Sequence, residues 1–180
     1  DPSKSYIKTA FKRSLKRLGT DYIDLYQLHG GTIDDPIDET IEAFEDLKKE
    51  GLIRNYGISS IRPNVIREYV KRSSIIRVMM QFSLLDRRPE ETILNLLNEH
   101  NISIIARGPV AKGILSENGL DKVSTNGYMG YRAEEIRLLI QQIKEQTNNN
   151  RLLSQTAIRY VLAHPTVATA IPGASRADQL

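Results

Sequence analysis

Cysteine is absent from this 180-residue sequence, which excludes disulfides, thiolate metal sites and a cysteine nucleophile. Histidine is scarce as well. Three are present, none with a second one nearby, so the sequence offers no histidine pair for a metal site. No apolar run approaches the roughly 20 residues that a membrane span needs, and Asp1-Pro2-Ser3 does not read as the opening of a signal peptide. These absences fit a reducing compartment and lead us to expect a cytoplasmic protein with no membrane partner. An excess of one charge is lacking too, because 25 basic residues face 22 acidic ones.

The cations gather near the start, where Lys4, Lys8, Lys12 and Lys16 stand at helical spacing with Arg13 and Arg17 beside them. No aromatic platform or nucleic-acid motif accompanies them, so no nucleic-acid partner is expected. Ile7, Phe11, Leu15 and Leu18 form the opposite stripe, which makes the basic row the expected solvated face of a helix.

What is present is alternation. Short apolar or β-branched runs at Asp21–His29, Ile53–Ser60, Ile75–Ser83, Ile102–Gly108 and Thr166–Gly173 each end on polar or glycine residues. Helical patterns separate them. Asp35-Pro36 supplies an N-cap and a first-turn proline for the stripe Ile37, Ile41, Phe44 and Leu47, and Gly51 ends that helix. Further helices are predicted over Pro63–Arg72, from Pro89 (burying Ile93, Leu94, Leu96 and Leu97), over Arg132–Gln146 and over Ser154–Ala163, with a last one beginning near Ser175. Asn148-Asn149-Asn150 breaks the chain between two of them. Such alternation implies a parallel sheet covered by helices, with every strand end on one face. Gly108–Tyr131 is the outlier, a connection of about two dozen residues with five of the eleven glycines. Loops of that length are commonly lids or binding loops, or disordered, and this one is expected to be mobile until a bound ligand orders it.

The strand ends hold the candidate chemistry. His29 closes the first strand, where an imidazole can polarise a carbonyl or move a proton; a structural histidine tied to a backbone group is the other reading. His100 and His164 sit at helix ends and read as structural. After the last strand, Pro172-Gly173-Ala174-Ser175-Arg176-Ala177-Asp178 has capping-box spacing, and free N–H groups with Arg176 in the first turn would make an anion site. An ordinary capped helix fits the same residues. Arg107-Gly108-Pro109-Val110-Ala111-Lys112 places two cations among backbone-exposing residues, without a Walker or GxGxxG pattern. Asp86-Arg87-Arg88 reads as a salt-bridged turn.

In combination, the segments Ser14–His29, Gly51–Ser59, Ser83–Arg87 and Ile171-Pro172-Gly173 with Gln179 resemble the aldo-keto reductases, the bacterial branch in particular. The resemblance implies a (β/α)8 TIM barrel that reduces a small-molecule aldehyde or ketone with NADP(H), and no metal. It implies that His29 orients the substrate carbonyl and that Ser59 and Ser60 hold the nicotinamide amide. The family's nicotinamide-binding glutamine falls at Met79, and Gln81, two residues on along the same face, is expected to take its place at the cofactor. Arg107 stands where an aromatic ring usually stacks on the nicotinamide. Gly108, Pro109 and Lys112 would border the pyrophosphate. Pro172, Gly173, Ser175, Arg176 and Gln179 match the adenosine end, with Ser175 and Arg176 at the 2′-phosphate.

The family's tyrosine, lysine and aspartate are expected upstream of Asp1, so His29 would be the tetrad member present. About five βα units of one barrel domain are expected over residues 1–180, with the first three missing. Two alternatives compete: a regulatory NADP-binding barrel without turnover, and a sugar-phosphate lyase or isomerase barrel. The second would need a Schiff-base lysine or a carboxylate pair at strand ends, and neither is found.

Overall fold

Helix and strand alternate as the hydrophobic periods dictate. The computed structural model describes residues 1–147, 151–174 and 176–177. In chain order it contains α1 (Lys4–Leu18), β1 (Ile23–His29), α2 (Ile37–Lys49), β2 (Ile53–Ser59), α3 (Pro63–Arg72) and β3 (Arg77–Gln81). There follow α4 (Arg88–Glu99), β4 (Ser103–Arg107), α5 (Ala133–Gln146), α6 (Leu153–Leu162) and β5 (Val167–Ile171). The strands run parallel in sheet order β1-β2-β3-β4-β5. Asn148–Asn150 and the helix expected from Ser175, with its Asp178 cap, lie outside the described residues.

Contacts group the chain into two compact units. The first comprises Asp1–Met80 and Leu96–Ser103. Its core is built on four rings in series. Phe11 meets Tyr26 edge-on at 5.2 Å, Tyr26 meets Phe44 at 5.6 Å, and Phe44 stacks on Tyr56 at 5.2 Å. Each such pair contributes about 0.5–1.5 kcal/mol beyond area burial, so the series ties α1 and α2 to β1 and β2. The Tyr56 hydroxyl ends it by donating to Glu45, which also accepts from the Ser74 hydroxyl. Burial pushes the Glu45 pKa up, but the hydrogen bonds from Ser74 and Tyr56 outweigh it and leave the carboxyl below its ordinary value. Gly57 serves a different need: a Cβ there would lie 2.4 Å from the Arg77 carbonyl oxygen, so the β2–β3 pairing depends on its absence.

Three expectations change in this unit. Lys4 and Lys8 do not simply face water, because both bind Asp46 of α2 at 2.8 Å. Leu18 is 66% exposed rather than part of the apolar stripe, since Gly19 ends α1 in a left-handed turn directly after it. Asp35 does not cap α2; its carboxylate turns back to accept from the Thr32 N–H at 2.7 Å, and the helix begins one residue past Pro36 without a side-chain cap.

The second unit comprises Gln81–Asn95 and Ile104–Leu180. Ile136 and Ile140 of α5 and Leu153 and Ala157 of α6 pack with Leu85, Ala111, Ile114 and Leu115. The last three belong to the long connection. Its opening is therefore part of the core, shaped by a short 3-10 turn at Ala111–Gly113, and a lid spanning all of Gly108–Tyr131 is not what the fold builds. Ordering that stretch is offset by burying its apolar side chains, at about 25 cal/mol per Å².

The α1–α2 clamp has a pH signature. Hydrogen bonds from Lys4 and Lys8 hold Asp46 down at about 2, against an ordinary 3.8. A carboxylate depressed by folding adds stability above its unfolded pKa and loses it as pH falls through the folded one. The melting temperature of Asp46→Asn should therefore fall below that of the parent at about pH 5, and the gap should close towards about pH 2. A gap independent of pH would make the contribution of Asp46 one of packing alone.

Candidate active site

In the first unit, His29 is the last residue of β1, exposed to solvent and in register with Ser59 of β2. Among the described residues its imidazole makes no hydrogen bond, so the reading of a histidine tied to a backbone group is not what the structure has. The segment behind it is braced. Gly30 N–H donates to the Ser59 carbonyl at 2.8 Å, and Arg62 Nη1 donates to the Gly31 carbonyl at 2.7 Å. Ser59 is half-buried. Ser60 is 6% exposed, with its hydroxyl accepting from the Arg62 N–H at 3.1 Å and its own N–H donating to the Met79 carbonyl at 3.0 Å. That hydroxyl keeps its proton for donation.

Gln27 shares the strand face of His29, two residues earlier. Among the described residues its Nε2 is buried with no acceptor. Both side chains line a small cavity of about 220 Å³ with Tyr6, Tyr26 and Phe44. The other two histidines are structural: His100 Nδ1 bonds the Leu96 carbonyl at 2.9 Å, and His164 Nδ1 accepts from the Thr166 N–H at 3.2 Å.

In the second unit, Gln81 and Arg107 end β3 and β4, and Arg107 Nη1 donates to Gln81 Oε1 at 3.0 Å. Gln81 Nε2 donates to the Tyr128 hydroxyl at 3.1 Å and stands 3.8 Å from Met129 Sδ. Burial raises the Tyr128 pKa, and so does the charge of Asp86, against Arg107 and Arg88. Asp86 is buried and accepts twice from Arg88, at 2.7 Å each, closing the expected salt-bridged turn with Ser83. Beside it an open cleft of about 620 Å³ is lined by Leu85, Arg87, Met129 and Tyr131, among others.

Gly108 has φ +64°, followed by Pro109. Ala111, Lys112 and Gly113 then take φ of 48°, 58° and 86°, three left-handed residues in a row. For the two that are not glycine this costs about 1–2 kcal/mol each. Ala111 is held there by burial of its methyl group, whereas the Lys112 side chain is exposed. Pro172, Gly173 and Arg176 follow β5 and are exposed, and Ser175 and Gln179 lie outside the described residues.

The aldo/keto reductase family model matches residues 1–180. The chain belongs to the aldo/keto reductase family. The Bacillus subtilis (strain 168) protein named Uncharacterized oxidoreductase YqkF is 60% identical over 184 residues, which take in 100% of this chain and 60% of that protein. The solved aldo-keto reductase AKR11C1 from Bacillus halodurans, in its holo form, is 61% identical with a TM-score of 0.91, over 99% of this chain and 58% of that one. The NADH-specific methylglyoxal reductase of Escherichia coli (strain K12) is 33% identical over 117 residues, 63% of this chain and 36% of its own. The chain thus spans about three-fifths of the length of the first two. Over that span its five parallel strands match an aldo-keto reductase (β/α)8 barrel.

Beside the strand-end residues, sequence reasoning missed Gln27, Tyr128 and Met129. Period-two spacing from His29 could have flagged Gln27. The pair Met129-Gly130 between two tyrosines is a weak hairpin signal, and its docking on Gln81 is visible only in three dimensions.

The left-handed lysine is testable through stability. Lys112→Gly removes the Cβ strain at the cost of backbone entropy in the unfolded chain, for a net gain of about 0.5–1 kcal/mol. Denaturant midpoints of the two proteins measure it, and a loss of stability would mean that the lysine side chain holds the turn.

Proposed function

We propose that this protein is an NADP(H)-dependent oxidoreductase that reduces a small-molecule aldehyde or ketone to an alcohol, with residues 1–180 acting as part of one barrel domain. The observation that carries the reading is His29: an exposed imidazole at the C-terminal end of a parallel strand, bonded to no described residue, in a chain of the aldo/keto reductase family. Its N–H donates to the substrate carbonyl oxygen and holds the carbonyl in line for reduction. It is the one member of the family's catalytic tetrad that we assign to this sequence.

The donor set suits a dinucleotide. Arg107, Lys112 and Arg176 are cations, Ser59 and Ser60 are hydroxyl donors, and no carboxylate stands among the residues assigned to the cofactor. In this reading Ser59 and Ser60 hold the nicotinamide amide, and Arg107 packs its guanidinium plane on the ring with Gln81 beside it. Gly108, Pro109 and Lys112 border the pyrophosphate, and Pro172, Gly173, Ser175, Arg176 and Gln179 take the adenosine end. The cofactor, when bound, supplies the hydride.

Two measurements test this in the full-length protein. His29→Ala should lower turnover about 10²–10⁴-fold while leaving NADPH affinity within a few-fold; unchanged turnover would remove His29 from the chemistry. Arg176→Ala should weaken NADPH by roughly ten- to a hundred-fold, the worth of one charge-assisted contact to the 2′-phosphate, and should leave NADH nearly untouched. Equal weakening of both cofactors, or an initial preference for NADH like that in the name of the methylglyoxal reductase, would overturn the assignment of Arg176.

A further inference from the structure

An amide side chain has one oxygen with two lone pairs and one nitrogen with two hydrogens. In Gln81 the order of its bonds follows from donor chemistry. Arg107 can only donate, so Oε1 must face it, at 3.0 Å. Nε2 is then committed to the Tyr128 hydroxyl at 3.1 Å, and its remaining hydrogen lies towards Met129 Sδ at 3.8 Å. Both ends of the amide are therefore engaged by the chain's own residues: the two hydrogens of Nε2 and, among the described residues, one of the two lone pairs of Oε1.

Its two partners depend on it. Arg107 is half-buried and, among the described residues, has no carboxylate partner, so the Gln81 oxygen is what fixes its guanidinium plane. Tyr128 and Tyr131 exchange backbone hydrogen bonds of 3.0 Å around Met129 and Gly130, with φ of 53° and 89°. A two-residue turn of this hand is ordinary for glycine and strained for methionine, and the Gln81 bond to Tyr128 lies at its foot. The Met79 position, two residues back, is where the family resemblance expects an amide for the nicotinamide. Gln81 is thus beyond that position and otherwise employed.

We propose that Gln81 is a positioning residue: it orients the Arg107 guanidinium and anchors the 128–131 turn, and does not itself bond the cofactor. The assignment rests on the reading of Arg107 as a cofactor contact. It makes Gln81 the link between the two, its oxygen accepting from Arg107 and its Nε2 donating to Tyr128 of the turn.

Glutamate separates this role from direct contact. In Gln81→Glu a carboxylate accepts from Arg107 and also from the Tyr128 hydroxyl, which turns from acceptor to donor, but no N–H remains for a nicotinamide oxygen. NADPH affinity, followed by titration of cofactor fluorescence in the full-length protein, should stay within about threefold in Gln81→Glu and fall about tenfold in Gln81→Leu. On an Arg107→Met background, Gln81→Leu should add nothing, because it acts through the arginine. A Gln81→Glu protein as weak as Gln81→Leu would make the amide N–H a direct cofactor donor and overturn the proposal; so would an undiminished effect of Gln81→Leu without Arg107. The NMR signal of the Arg107 Nε–H gives a readout without cofactor. It should be sharp in the parent and in Gln81→Glu, and broadened in Gln81→Leu and in the milder Tyr128→Phe. A sharp signal in all four would sink the positioning role. Failure of the parent to bind NADPH, with that signal behaving as expected, would instead sink the cofactor reading.

Discussion

Parallel pairing is the constraint from which the rest follows. A parallel strand needs a crossover of a dozen or more residues, and the crossover helix buries its apolar stripe on the sheet. Strand faces are then consumed by packing, and polar chemistry is left to strand ends. The consequence is visible residue by residue: Ile53, Tyr56 and Ile58 of β2 are buried, while Ser59 at its end is not fully so. In β1, Tyr26 is drawn into the ring series and His29 stands in solvent. The same strand makes one residue a core side chain and another, three positions on, a solvent-facing imidazole.

The strand that carries His29 is held rigid by packing. Phe11, Tyr26, Phe44 and Tyr56 are large side chains with few rotatable bonds, so the β1 backbone that presents His29 has little freedom to shift. Gly57 allows β3 to approach β2 at the step just before Ser59. The loop after His29 gains its order from charge: Arg62 holds Gly31, and Asp35 holds Thr32. Packing fixes the strand, and hydrogen bonds fix the turn that leaves it.

Local signals were legible in the sequence, and pairings across the chain were not. Pro63 opens α3 and Gly51 closes α2 as read, because these residues act on their own φ or on bonds a few positions away. Asp35 misled because an aspartate before proline serves equally well as a helix cap or as the acceptor of a preceding turn. The basic row misled because helical spacing shows that Lys4 and Lys8 share a face, and says nothing of an Asp46 brought to it by another helix. The glycine-rich connection was read by length and composition. Its apolar residues Ile114 and Leu115 lack any period that would have marked them as core. His29 was legible as a strand-end residue, but the bonds made by Gln81 span 26 and 47 residues of sequence and leave no pattern in it.

Arg107 shows how a departure from a family pattern is accommodated. Among the described residues this half-buried cation has no carboxylate partner, and one neutral oxygen restores only part of the hydration that burial removes. Beside Arg88 the chain places an acid instead, and Asp86 accepts two of the five N–H donors of that guanidinium. An acid beside Arg107 would hold the guanidinium at least as firmly as Gln81 does, through a charge-assisted bond from the same nitrogen. A neutral amide oxygen accepts from one of the five N–H donors of Arg107, and the same amide keeps an N–H to give to the Tyr128 hydroxyl. Glutamine at position 81 therefore serves an arginine and a tyrosine hydroxyl at once, accepting from one and donating to the other, and so joins the end of β4 to the 128–131 turn.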